Sequence, residues 1–252
     1  MKLVLFSIIL IITSHTFAQE NKIDEKGLKQ GTWMKLFPNS KAVDYTGAFK
    51  DDVPQGIFTY YYMSGKVKAR VIYFSGSNNS YTTVYHDLPG DIPLAEGKFI
   101  NKLKDSTWSY YGPTGRISSQ ETFALGKLHG QKIVYYISEN VHDKSRKVAQ
   151  VMNYKNDLLD GESIEYFDNG VIRSQMNYID GLKNGIVITN NPNGKPMLKD
   201  NYYKGIKHGY CFAYDNEGVE VSKVYYKMGT RLEGKELEKY LQKAKSNGIQ
   251  LK

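Results

Sequence analysis

The chain carries one cysteine, Cys211, and five histidines, at 15, 86, 129, 142 and 208. A lone thiol can act as a nucleophile or a soft metal ligand, but it cannot close an internal disulfide. Cys211 stands two residues after Gly209, where matching stretches place Trp33, Phe58, Trp108 and Val187. It therefore reads as a small core residue. His129 and His208 each precede a glycine in matching stretches that lie three apart. At two strands per stretch and ~4.8 Å per strand they would stand about 29 Å apart. Zinc ligands sit ~2 Å from one ion, so this pair cannot share a metal. His86 and His142 fall in turn regions without a neighbouring ligand, and no metal site is expected.

The carboxylate pairs Asp51-Asp52 and Asp160 with Glu162 also sit in turn regions. Acids are ordinary there, and an open sheet of hairpins offers no deep pocket to raise a pKa. No G-x-S-x-G, H-E-x-x-H, phosphate-loop or dinucleotide pattern occurs. The expectation is a protein that is not an enzyme and uses no cofactor. The net charge is +8 and the pI about 9.2, which would suit an anionic partner. Lys66, Lys68 and Arg70 gather in one stretch, and Lys204, Lys207 and His208 in another, with acids between. The first three are the candidates for contact with anionic lipid or glycan; a solvated basic surface is the plainer reading. Nucleic acid is not an expected partner.

These residues hang on a repeat. Leading positions fall at Gly31, Gly56, Ser80, Ser106, Gly130, Gly161, Gly185 and Gly209, closing at Gly234, with gaps of 25, 24, 26, 24, 31, 24, 24 and 25. A fixed period of this kind decides the fold class. The long gap holds a polar insertion, Ser138–Ala149. Seven residues before successive leading positions stand Phe49, Tyr73, Phe99, Phe123, Tyr154, Tyr178 and Tyr202, an unbroken aromatic column, which Tyr226 continues with a slip of one. A looser column five residues after the leading position holds Tyr61, Tyr85, Tyr111, Tyr135, Tyr166 and Tyr214, interrupted by Leu36 and Asn190.

Each unit contains two runs rich in Tyr, Phe, Val and Ile, separated by turn signals such as 38–41 (PNSK), 63–65 (MSG), 168–170 (DNG) and 191–194 (NPNG). That is the pattern of a β-hairpin. A lone hairpin is marginal in water, so the units must stack edge to edge into one elongated, all-β meander of about eight hairpins in a twisted antiparallel sheet. Stacking is expected to line up identical aromatics so that they touch across strands. The leading glycines permit a tight bend or close backbone approach. The two serines make the units they lead, at Ser80 and Ser106, the weakest matches.

The runs Gly31–Lys41 (GTWMKLFPNSK) and Ser106–Arg116 (STWSYYGPTGR), with Y-x-x-G-x-x-x-G at 178–185 and 202–209, resemble the MORN repeat, and more closely its bacterial MORN-variant form. The resemblance covers about residues 31–234. It implies an elongated, twisted meander of hairpins used for protein or membrane contacts. Members are often secreted and sometimes carry an antitoxin-like label.

Four segments follow. Met1–Ala18 (MKLVLFSIILIITSHTFA) reads as a secretory signal peptide: one Lys, an apolar run of about ten residues and a small-residue cleavage site. The run is too short to span a bilayer, and the chain is expected in the periplasm or outside the cell. Residues 19–30 resemble the closing half of a unit and form a leading cap. The repeats occupy 31–233. In 234–252, Leu237, Tyr240, Leu241 and Ala244 share one helical face. Glu236 and Glu238 lie at its start and Lys243 and Lys245 near its end, matching the helix dipole; Gly248 is its stop. This helix is expected to cover the last strand. The function that fits is a non-enzymatic scaffold for protein–protein interaction. Alternatives are peripheral membrane or glycan binding, a toxin-neutralising role, and, remotest, hydrolysis of a surface polysaccharide.

Overall fold

The computed structural model describes residues 21–77, 79–138 and 145–247. The signal peptide, His15, His142, Gly248 and the middle of the insertion lie outside the described residues. Eight hairpins follow one another in chain order. They are β2 (Lys29–Leu36) with β3 (Val43–Lys50), β4 (Val53–Tyr61) with β5 (Val67–Tyr73), β6 (Ser80–Tyr85) with β7 (Pro93–Ile100), and β8 (Leu103–Tyr111) with β9 (Ile117–Ala124). Then come β10 (Lys127–Tyr135) with β11 (Val148–Lys155), and β12 (Leu158–Tyr166) with β13 (Ile172–Ile179). The last two units have a split first strand: β14 (Leu182–Lys183) and β15 (Gly185–Asn190) with β16 (Pro196–Tyr203), and β17 (Ile206–Lys207) and β18 (Gly209–Tyr214) with β19 (Glu220–Lys227). Every strand pairs antiparallel with its sequence neighbours, giving one all-β meander.

The leading positions and the aromatic column are the two halves of one rung. Gly31 pairs with Phe49, Gly56 with Tyr73, Ser80 with Phe99 and Ser106 with Phe123. Gly130 pairs with Tyr154, Gly161 with Tyr178, Gly185 with Tyr202 and Gly209 with Tyr226. Tyr226 is thus in register: measured within its own unit, the apparent slip vanishes.

Units join through two-residue turns in which both residues have positive φ, for example Asp51-Asp52 (53° and 63°), Asn156-Asp157 (51° and 72°) and Asp180-Gly181 (48° and 80°). Both central residues of a type I′ turn need this conformation. After the turn the register shifts, at Thr46/Ala48, Glu96/Lys98, Leu128/Lys132 and Met152/Tyr154. The leading residue at each shift sits in the left-handed region that glycine tolerates. Ser106 adopts it as a serine, at φ 60°. Ser80 does not: β5 and β6 are joined by a longer turn and pair from Tyr73↔Ser80 to Ala69↔Val84 without a shift. Both serine-led units therefore form, one by tolerating strain and the other by dispensing with the bulge. The looser tyrosine column has its own cause. Tyr61, Tyr85, Tyr111, Tyr135, Tyr166 and Tyr214 each mark a register shift just before a hairpin tip, and so do Leu36 and Asn190.

One face of the sheet carries the core. Two residues after the leading positions lie buried Phe58, Thr82, Trp108, Ser163, Val187 and Cys211. The aromatics of the rung flank them edge-on: Phe49 and Tyr73 around Phe58 at 5.1 and 5.3 Å, and Phe99 against Trp108 at 4.9 Å. This corrects the expectation that identical aromatics touch. Equivalent residues recur on every second strand, ~9.6 Å apart, and the intervening strand supplies the partner. Residues eleven positions apart complement each other across the junction. Trp108 lies over Gly97 and Phe58 over Gly47, Lys132 is paired with Glu121 at 2.8 Å, and buried Met152 faces Ser163.

The ends are closed differently. β1 (Lys22–Ile23) covers Lys29 and Gln30 of β2. At the other end β20 (Thr230–Leu232) covers Tyr225–Lys227 of β19, and α1 (Gly234–Ser246) follows. Tyr240 packs against buried Tyr225 at 5.5 Å, with Leu232 and Ala244 also buried. The helix thus seals one face of the last hairpin, while Val221 of β19 remains exposed.

Candidate functional site

On the core face, lysines two residues before four leading positions reach over the rung aromatics. Lys29 Nζ stands 5.0 Å from Trp33 and 4.8 Å from Phe49. Lys104 Nζ stands 4.5 Å from Trp108 and 5.0 Å from Phe123, and donates to Tyr110 Oη at 2.7 Å. Lys183 and Lys207 lie over Tyr202 and Tyr226. These cations are held by ring faces. Burial lowers the pKa of Lys104. Burial also works against the charge on Lys207, but its bond to Asp200 prevails and raises its pKa.

The basic trio is not a free patch. Lys66 pairs with Asp87 at 3.6 Å and Arg70 with Asp91 at 3.1 Å, both acids coming from the next unit. Arg70 also donates to Tyr85 Oη at 3.2 Å, and Lys68 lies 5.9 Å from the Tyr62 ring. All three are exposed, and two have their charge balanced.

The turn acids do structural work. Asp52 Oδ1 accepts from Lys29 N at 2.8 Å, and Asp157 Oδ1 accepts from Leu128 N at 2.8 Å, each tying one junction to the preceding one. Asp51 accepts from Gln30 Nε2 at 2.7 Å. Glu162 accepts from Gln175 Nε2, and Asp160 accepts from Asp180 N at 3.3 Å. His208 Nδ1 accepts from Met228 N at 3.2 Å, and His86 Nε2 lies 3.2 Å from Tyr111 O. Cys211 is buried, and burial pushes its thiol up, away from the nucleophilic thiolate. Among the described residues no group of three or more His, Cys, Asp or Glu could hold a metal, and no helix is long and apolar enough to cross a membrane.

Two features were not foreseen. The first is a cavity of about 690 Å³ on the core face, around Tyr60, Tyr73, Ser80, Thr82 and Phe99, where the sequence led us to expect a sheet without pockets. It exists because the buried column drops from Phe58 to Thr82 and rises again to Trp108, and because Pro54 replaces the lysine that other units lay over the rung. The second is an aliphatic stripe along the junction edge. Val53, Leu103, Leu158, Leu182 and Ile206 share the position three residues before a leading residue, and each is 43–49% exposed. Each of the last four leans on the next turn glycine: Leu103 Cδ2 and Ile206 Cγ2 come within 3.3 and 3.2 Å of where a Cβ would stand on Gly126 and Gly229. The stripe was visible as a column, an aliphatic three residues before five of the leading positions.

Residues 159–180, in the sixth hairpin, match the MORN repeat variant, and the shared register carries the same unit through the sheet. No curated protein matches the chain in sequence. Among solved structures it is similar to part of a point mutant of S. aureus TarM in complex with fondaparinux, alpha-GlcNAc-glycerol and UDP. That match has 9% identity and a TM-score of 0.24, over 60% of this chain and 21% of that one. It is also similar to part of the GtfA/B complex, with 11% identity and a TM-score of 0.21, over 49% of this chain and 18% of that one. The chain thus spans about a fifth of the length of each.

Proposed function

We propose that this repeat scaffold is an exported, non-enzymatic protein that binds another protein along its junction edge. The observation that carries the reading is the stripe from Val53 to Ile206: five aliphatic side chains at one repeat position, each nearly half exposed, interrupted by Ser77 and Lys127 and unbroken over Leu158, Leu182 and Ile206. Exposed apolar surface gathered in this way marks a contact site, and a row that recurs with the repeat suits an elongated partner. The leader-like Met1–Ala18 supports export. Peripheral contact with an anionic surface is less well supported, because Asp87 and Asp91 already balance Lys66 and Arg70. Affinity capture with the mature chain from envelope and culture fluid tests the proposal. One dominant polypeptide that stays bound at high salt would support it. Retention of lipid alone, lost at high salt, would contradict it.

A further inference from the structure

Ser80 lies between two aromatic residues at one height of the sheet: it pairs with Tyr73 on β5 and with Phe99 on β7. The neighbouring strands place those two ring-bearing backbones ~9.6 Å apart, wide enough for a flat ring between them. Tyr60 adds a third aromatic, and Thr82 lies beside Ser80 on the floor. Ser80 and Thr82 are only 5% and 8% exposed. Neither oxygen is among the sealed-in side-chain atoms left without a partner, so both hydroxyls are open to the cavity they line.

We infer that this slot binds a sugar ring of a neutral glycan. An apolar side chain seated here would bury both hydroxyls unpaired, which is costly. A pyranose instead offers C–H faces to Tyr73 and Phe99 and hydroxyl groups to Ser80 Oγ and Thr82 Oγ1. The volume, about 690 Å³, falls in the range of ligand pockets, which are mostly apolar with a few placed polar groups. The absence of a bulge at Ser80 sets Tyr73 and Phe99 at one height of the sheet, and Thr82 leaves the room. The cavity shares Val53 with the stripe but not Leu158, Leu182 or Ile206, so substitutions at those three test the stripe without touching this site.

The test is saturation-transfer NMR on the mature chain with soluble trisaccharides of glucose, of galactose and of N-acetylglucosamine. At least one is expected to bind, with transfer to its ring protons. Val71→Gly with Thr82→Phe fills the slot with an aromatic ring, the glycine on the paired strand making room for it, and is expected to abolish the signal while the circular dichroism is kept. Ser80→Ala with Thr82→Val keeps the volume and removes both hydroxyls; affinity should fall about tenfold or more. Binding of no trisaccharide, or binding unchanged in either folded double variant, would overturn the assignment.

Discussion

Trp108 lies flat across Gly97: a Cβ on that glycine would stand 2.4 Å from the indole Cδ2. The indole Nε1 donates to Lys98 O at 3.0 Å, which fixes the ring in place. Phe58 covers Gly47 in the same way, with its nearest ring atoms 2.5 Å from a Cβ there. Neither glycine needs a positive φ, so each is present for space alone. Gly97→Ala should therefore destabilise by about 1–3 kcal/mol, as overpacking does. Trp108→Val in the same chain, which takes the ring away from that Cβ as Val187 does at the equivalent position, should show a smaller cost of Gly97→Ala than the parent does. Chemical denaturation of the single and double variants measures both.

Ser106 occupies a left-handed backbone position, φ 60°, that the other shifted junctions fill with glycine. Ser106→Gly relieves this, although its hydroxyl gives up a bond to Asp105 Oδ2 at 2.9 Å on the exposed surface. The expected result is a gain of about 0.5–1 kcal/mol. Ser80→Gly, where no left-handed backbone is needed, should lose stability instead. Thermal melts of the two variants side by side check the contrast.

Phenols on both faces set the alkaline limit. Burial, then the neighbouring Tyr73, raises Tyr60; burial and the Glu121 charge raise Tyr110. Burial and the bond to Glu96 push Tyr111 up to about 12. Their folded pKa values exceed the unfolded value of 10, so the stability they contribute is fully present below pH 10. It is lost as pH rises through the folded values. Lys104, lowered by burial, works in the opposite sense, and the three phenols outnumber it. The melting temperature should hold to about pH 10 and fall steeply towards pH 12, with phenolate absorbance rising in the same window.

Removing 234–252 strips Tyr240 from Tyr225 and uncovers Leu232. The truncated chain should aggregate, because an exposed apolar face beside an open strand edge recruits other chains. Light scattering against concentration reads this directly. Unchanged solubility would mean that the helix does not act as a cap.

Much of the fold was legible in the sequence, because a hairpin repeat writes its register into composition. The leading glycines and the aromatics turned out to be paired partners, and the tips fell at the Asn-Gly and Asp-Asn-Gly signals. Contacts across the junction were not legible. The fit of Trp108 over Gly97 spans eleven residues and a bulge, and the salt bridge from Arg70 to Asp91 spans two hairpin strands. A column of lysines says nothing about the acids that a shifted register brings beside it. The cavity stayed hidden for the same reason: it needs Thr82, Ser80, Pro54 and a missing bulge together, and no one of these residues signals it alone.

Binding along the junction stripe depends on Leu158, Leu182 and Ile206, the run of the stripe that no polar residue interrupts. The mature chain and its variant Leu158→Glu/Leu182→Glu/Ile206→Glu are used as matched baits against envelope and culture fluid at high salt. These sites are surface-exposed, so the variant should keep its fold and melt within a few degrees of the parent. The parent bait is expected to retain one dominant polypeptide and the variant to lose it. The same polypeptide on both baits, or none on either, would contradict it.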